Sequence, residues 1–229
     1  MRATGHVTEH CSYHHRNMAE MHSHRKTCRR FNDVGHAHAL TFSCFFRRAF
    51  LSKERSCQWL IAALDQARRR HAYHLWAYVI MPEHVHILVW PTVTDYNVGE
   101  FLKSVKQSVF RRAIAYLNQE APSFLDQLAD RQPSGKIHCR FWQRGGGYDR
   151  NLFDPQAIHQ EIEYIHLNPV RRGLVARPED WYWSSAANYA GTRIGPLAID
   201  RDSLPTLPVF AHRRGRHGAV IDTNGTARK

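Results

Sequence analysis

The stretch Met81-Pro82-Glu83-His84-Val85-His86-Ile87-Leu88-Val89-Trp90 decides how the chain is read. After Pro82, the residues from Val85 to Trp90 are β-branched, aliphatic or aromatic, and Pro91 closes the run, which predicts a buried strand. Two imidazoles interrupt the apolar series at i and i+2. Side chains alternate faces along a strand, so His84 and His86 project from the same side. Two neutral imidazoles side by side on a rigid strand make half of a metal site. A lone histidine in such a strand reads more simply as a satisfied core residue. For a same-face pair that explanation is harder to hold, because each unpaired polar ring costs a few kcal/mol to bury.

Length and charge frame the strand. The chain has 229 residues, enough for one domain with a sizeable core plus tails. Its 32 Lys+Arg outnumber 20 Asp+Glu, a formal net charge of +12. Clustered arginines in that excess favour a polyanionic partner, most commonly nucleic acid. No apolar run reaches the length of a transmembrane helix, and the N-terminus lacks the apolar core of a secretory signal. Five cysteines without regular spacing fit reduced thiols in a cytoplasm. No internal repeat is visible.

Residues 1 to 35 are polar, basic and rich in histidine (His6, His10, His14, His15, His22, His24), with Cys11 and Cys28. A zinc site drawn through Cys11, His14 or His15, His24 and Cys28 matches no usual finger spacing and has too few apolar residues around it. The expectation is a disordered basic leader, or a start placed too early with Met18 or Met21 as alternatives. The segment Ala39 to Phe46 has strand composition. A helix is predicted from Ser52 as N-cap, with Trp59, Leu60, Ala63 and Leu64 as its apolar stripe and Arg68-Arg69-Arg70 at its C-terminus. Strands at Leu75–Ile80 and Val85–Trp90, joined through Met81-Pro82-Glu83, are expected to form the centre of an antiparallel sheet.

A second helix is predicted from Val98 to Leu117, with Phe101, Leu102, Val105, Val109, Ile114 and Leu117 on its apolar side. Tyr116 is read as packing. Lys103, Lys106, Arg111 and Arg112 on the remaining surface are either a solvated basic face or phosphate contacts. Ile137 to Gln143 reads as a short aromatic strand. Next comes Arg144-Gly145-Gly146-Gly147-Tyr148-Asp149-Arg150, where Arg144 and Arg150 flank glycines that allow close backbone approach to a ligand or simply form a turn. Asp154 as N-cap and Pro155 at the first position start a helix that Pro169 is expected to stop. Ile158, Ile162 and Ile165 form its buried stripe, while Tyr164 and Asn168, four apart, share another face. Arg171 and Arg172 follow and, with Arg144 and Arg150, are candidate DNA contacts; then comes an aromatic cluster from Trp181 to Trp183 that should pack over the core's edge. From about Asp200 the tail, with Arg213, Arg214 and Arg216, is expected to be polar and mobile.

His84-Val85-His86, followed by Tyr164-Ile165-His166-Leu167-Asn168-Pro169-Val170-Arg171, resembles the single-tyrosine HUH transposases, and most nearly their REP-associated branch. Pro178-Glu179-Asp180-Trp181 and Trp183-Ser184-Ser185 are also similar to that branch. The resemblance covers about residues 36 to 190, and it is the two motifs in order that make it specific. It implies an α/β (α+β) fold, a ferredoxin-like domain with a central antiparallel β-sheet and helices packed on it, here over residues 36–195, with 196–229 as a basic tail. It further implies that Tyr164 attacks a phosphodiester of single-stranded DNA. His84, His86 and Asn168 would be ligands of a divalent metal, Mg²⁺ or Mn²⁺. The implied activity is transposase-like nicking and joining of hairpin or palindromic DNA through a 5′-phosphotyrosine. The implied partners are single-stranded or hairpin DNA and a second copy in a homodimer, with no membrane, in a cytoplasmic, nucleoid-associated setting. A longer interval between His86 and Tyr164, with an insertion around Gln119 to Gly135, departs from the compact pattern, as do the Gly-rich loop and the leader. The alternative expectation is a catalytically idle or regulatory nucleic-acid-binding protein on the same scaffold.

Overall fold

The computed structural model describes residues 32–145 and 147–207. The expectations for the His- and Cys-rich leader and for Arg213, Arg214 and Arg216 lie outside the described residues. Six strands and four helices follow in chain order: β1 Ala37–Ser43, α1 Glu54–Arg70, β2 Tyr73–Ile80, β3 His84–Pro91, α2 Val98–Glu120, β4 Ala129–Arg131, β5 Ile137–Cys139, β6 Tyr148–Leu152, α3 Pro155–Arg171 and α4 Ala186–Ala190. Four strands form an antiparallel sheet in the order β2-β3-β1-β6. With α1 between β1 and β2 and α2 between β3 and β6, this is the ferredoxin-like split βαβ arrangement.

The alternation of side chains along each strand sorts the core into two layers. One face of the sheet, with Leu40, Phe42, Val85, Ile87 and Val89, packs against Leu60 and Leu64 of α1 and Phe101, Val105 and Val109 of α2. The opposite face, with Ala37, Ala39, Val79 and Leu88, packs against Ile158, Ile162 and Ile165 of α3. His84 and His86 share the parity of Leu88 and so point toward α3. The expected apolar stripes of the three helices are buried, except that Trp59 of α1 and Ile114 of α2 are half-buried against the core's edge.

Several boundaries differ from the sequence expectation. β1 ends at Ser43, and Phe45–Arg47 forms a tight 3-10 turn. Lys53 rather than Ser52 precedes α1, and no side chain caps it. The sheet's centre is β3 with β1, and β2 is an outer strand. Only Ile137–Cys139 of the expected aromatic strand pairs, in a separate hairpin with β4. Trp142 instead bridges to Cys44 and sets its ring 5.1 Å from Phe42. The 3-10 segment Pro122–Leu128 and the start of that hairpin occupy the stretch from Gln119 to Gly135 where an insertion was expected.

Pro169 does not stop α3, which continues to Arg171. Proline cannot donate to the carbonyl of Ile165, four residues back. The preceding side chain supplies a substitute: Asn168 Nδ2 donates to Ile165 O at 3.4 Å and to Tyr164 O at 2.8 Å. The C-terminal segment also binds more closely than expected. Ile80 N–H donates to Trp183 O, Ser185 exchanges bonds with the backbone of Tyr78, and Asp200 does so with Leu75. Leu197 lies in the core and Ser203 accepts from the Trp76 indole, so the packed domain runs past residue 196. Among the described residues no helix is long and apolar enough to cross a membrane.

Candidate active site

β3 delivers His84 and His86 as neighbours, their ring centroids 4.8 Å apart and nearly perpendicular. Among the described residues each ring pairs through Nδ1 alone. His86 Nδ1 pairs with Thr41 Oγ1 at 2.7 Å, and His84 Nδ1 with Glu83 Oε1 at 3.1 Å. Register explains the first contact, because Thr41 of β1 stands directly opposite His86. The Glu83 carboxylate only accepts, so it sets the His84 proton on Nδ1 and leaves the Nε2 lone pair free; the Thr41 hydroxyl can accept from His86 Nδ1 in the same way, the arrangement in which metal-ligating imidazoles are normally held.

Electrostatics keep both rings neutral. Burial lowers the His86 pKa to about 3, with the neighbouring His84 and the Arg47 guanidinium acting in the same direction. Burial also lowers His84; Glu83 opposes the shift and Arg47 reinforces it. Burial by itself would raise Glu83, but the Arg172 hydrogen bond and nearby positive charge outweigh it and hold the carboxyl below its usual range. Arg172 Nη1 donates to Glu83 Oε1 at 2.7 Å, so the end of α3 is tied to the carboxylate that orients His84. The rings therefore present lone pairs, and the carboxylate beside them carries charge.

α3 brings Tyr164 to this pair. Its ring lies 5.7 Å from that of His86, edge to face, and the residue is 43% exposed. The Arg171 guanidinium sits over the same ring at 4.9 Å. One turn on, Asn168 is buried, and with Nδ2 committed to the helix backbone its Oδ1 is the atom able to ligate. Among the described residues no group of three or more His, Cys, Asp or Glu is arranged to hold an ion. A cation on the two histidines would therefore need Asn168 or a substrate oxygen as further donor. His166, on the same helix, is buried and pairs with Ser185 Oγ at 2.8 Å, and burial lowers it to about 4. It clamps α3 to the C-terminal segment.

The other basic residues divide. Arg150 lies on the α3 side of β6 and pairs with Glu161 at 3.8 Å. Lys106 reaches Gly145 O at 3.4 Å, and with Arg144, Gln143, Ser43 and Tyr148 it lines a small pocket beside β1. Arg144 is held 3.7 Å from Asp130. Lys103 pairs locally with Glu100, and Arg111 and Arg112 are exposed. These last three stand on α2, across the sheet from Tyr164, and the fold does not bring them to the site. Of the loop's described glycines, Gly145 faces open space and Gly147 approaches protein. At Gly147 (φ +75) a Cβ would fall 2.1 Å from Thr41 O, so only glycine lets the loop lie against the strand that orients His86.

Sequence reading missed Thr41, Glu83 and Arg47. Glu83 was in the opening stretch, and its adjacency to His84 was the available signal. Thr41 needed the β1–β3 register.

No protein-family model matches the chain. A Haemophilus influenzae protein named as a candidate REP-associated tyrosine transposase is 26% identical over 124 residues, 54% of this chain and 65% of that protein. The REP-associated tyrosine transposase of Escherichia coli is 25% identical over 128 residues, 56% of this chain and 63% of that protein. The matches thus span a little under two thirds of the length of these relatives. A solved structure of a REP-associated tyrosine transposase bound to a REP hairpin superposes with a TM-score of 0.54 at 18% identity, covering 80% of this chain and 98% of that one. The chain therefore resembles the REP-associated tyrosine transposases in sequence and carries the fold of one of them.

Proposed function

We propose that the protein is a metal-dependent enzyme that nicks and joins single-stranded DNA at hairpins, in the manner of a transposase. The observation that carries this reading is the placement of the Tyr164 ring against His86, beside two neutral imidazoles whose Nε2 atoms point away from their protein partners. The donor set suits a divalent cation, Mg²⁺ or Mn²⁺, on His84, His86 and Asn168. Bound there, the ion would polarise the phosphate and offset its developing charge.

The chain's own residues account for the rest. Tyr164 Oη forms the new bond to phosphorus while the bond to the 3′ oxygen breaks, leaving a 5′-phosphotyrosine and a free 3′-OH. The proton lost by the phenol balances the one taken up by the 3′ oxygen. The phosphodiester's energy is kept in the covalent link, so rejoining by a 3′-OH needs no nucleotide. Arg171, stacked over the tyrosine, stands where a guanidinium can meet the phosphate.

The test is incubation of the protein with labelled hairpin DNA and Mn²⁺ or Mg²⁺, wild type beside Tyr164→Phe. A denaturation-resistant adduct that needs metal and disappears in the variant is expected. Tight, salt-dependent binding without any adduct, across a panel including repeats flanking the protein's own gene, would shift the reading to an idle binding protein on this scaffold.

A further inference from the structure

Between β1 and α1 the backbone does something bulky residues rarely do. Phe46 (φ 51) and Arg47 (φ 52) occupy the left-handed region in succession, where a side chain strains the chain and glycine would not. Burial does not explain the choice of residues. Phe46 is 66% exposed and the Arg47 side chain 63% exposed.

The turn is fastened to the candidate active site. Cys44 N–H donates to Glu83 O at 2.8 Å, and Leu51 N–H to Pro82 O at 2.9 Å. Gln143 Oε1 accepts from Phe46 N–H at 3.1 Å, fixing the turn's outer limb. Arg47 Nη2 lies 3.6 Å from Glu83 Oε1, the carboxylate that also holds His84 and Arg172. The Phe46 ring is braced by Phe45 at 4.3 Å, with the Arg48 guanidinium 5.9 Å from its centroid. The strained pair thus presents a braced but solvent-facing aromatic ring and a cation on the corner that leads into the histidine strand.

We propose that Phe46 is a stacking platform for an unpaired base next to the phosphate acted on by Tyr164, and that Arg47 holds a neighbouring backbone phosphate. The inference rests on the reading of the site as one that takes single-stranded DNA. Its chemistry is general, since every base offers a π-face and a flanking cation tracks the backbone. Conformational strain at an exposed aromatic is expected where the position of the ring matters more than the comfort of the turn.

The experiment uses the full chain carrying Tyr164→Phe, so that binding is read without cleavage, and a hairpin oligonucleotide with single-stranded flanks containing 5-iododeoxyuridine. Photocrosslinking followed by peptide mass spectrometry is expected to place the adduct at Phe46. Phe46→Gly, which suits the left-handed turn and removes the ring, should weaken binding about tenfold or more with an unchanged or higher melting temperature. Phe46→Trp should restore affinity, and Arg47→Ala should lower the salt dependence of binding by about one counterion. Unaltered affinity in Phe46→Gly with crosslinks elsewhere overturns the stacking role, and a wild-type Tyr164 adduct would then leave the nicking reading intact. A melting temperature that falls in Phe46→Gly also overturns it, by making the ring a structural brace. A crosslink at Phe46 from a protein that never forms an adduct upholds stacking and removes nicking. Failure of the parent protein to bind DNA removes both.

Discussion

Buried histidines on the two faces of one sheet teach how to tell a core imidazole from a ligand. His38, on the α1–α2 side, is 0% exposed and has both nitrogens committed: Nδ1 to Asp149 at 3.0 Å and Nε2 to the Tyr96 hydroxyl at 3.0 Å. His84 and His86, on the α3 side, are 6% and 7% exposed, and each commits one nitrogen to a protein oxygen. Burial barely separates the three. What separates them is whether the second ring nitrogen has a protein partner among the described residues. Satisfying both makes a ring part of the core, whereas satisfying only Nδ1 leaves a directed donor atom.

The sharpest way to break this comparison is His38→Ala. It strips a buried carboxylate and a buried phenol of a shared partner and should cost about 3 kcal/mol by chemical denaturation. Adduct yield per folded molecule should not change. A stable His38→Ala protein would show that full pairing does not mark a structural histidine here. His86→Ala should do the reverse, holding stability while Mn²⁺ affinity by calorimetry drops about a hundredfold.

Acid should act next. Below the ordinary imidazole value of 6.5, unfolded rings take up protons that the folded rings refuse until about 3 at His86 and about 4 at His166. Stability is therefore complete above 6.5 and falls as pH drops through that window, by at most roughly 2.7 kcal/mol per pH unit for the two rings together. Urea midpoints between neutral and mildly acidic buffer check this, and His86→Ala should flatten the slope. The smallest effect is expected from Glu83→Gln, which keeps a hydrogen bond to His84 but loses its charge. Metal affinity should fall about tenfold with little change in unfolding, and an unaffected Mn²⁺ titration would detach Glu83 from the site.

The parts of the fold legible from sequence were those set by local period. The i, i+2 alternation placed His84 and His86 on one face, and the i, i+4 spacing placed Tyr164 and Asn168 together on α3. Asp154 and Pro155 gave that helix's start correctly, with Asp154 accepting from Ala157 N–H at 2.7 Å. Its end was misjudged because the rule for proline assumes that the orphaned carbonyl finds no donor, and Asn168 provides one. Ser52 has the composition of a cap, but Leu51 and Ser52 are bound in the preceding turn, through Leu51 N–H to Pro82 O and Ser52 N–H to Ala49 O. Thr41 and Arg47 were illegible as site residues, and so was the bond from Arg172 to Glu83, because these contacts depend on strand register and on where distant segments meet. The basic face of α2 looked like a DNA surface by composition, yet the βαββαβ winding puts it across the sheet from the tyrosine. Cys44 and Cys57 are buried thiols pushed up to about 12 by that burial.

The C-terminal segment that hydrogen-bonds along β2 has a consequence for assembly. Trp183, Ser185 and Asp200 occupy the backbone groups through which another strand could join on that side, while among the described residues none pairs with the outer edge of β6. A sheet with one margin capped by its own chain has a valency of one. If copies join edge to edge, the chain ends at two, and the protein is protected by its own C-terminal segment from growing into a fibre.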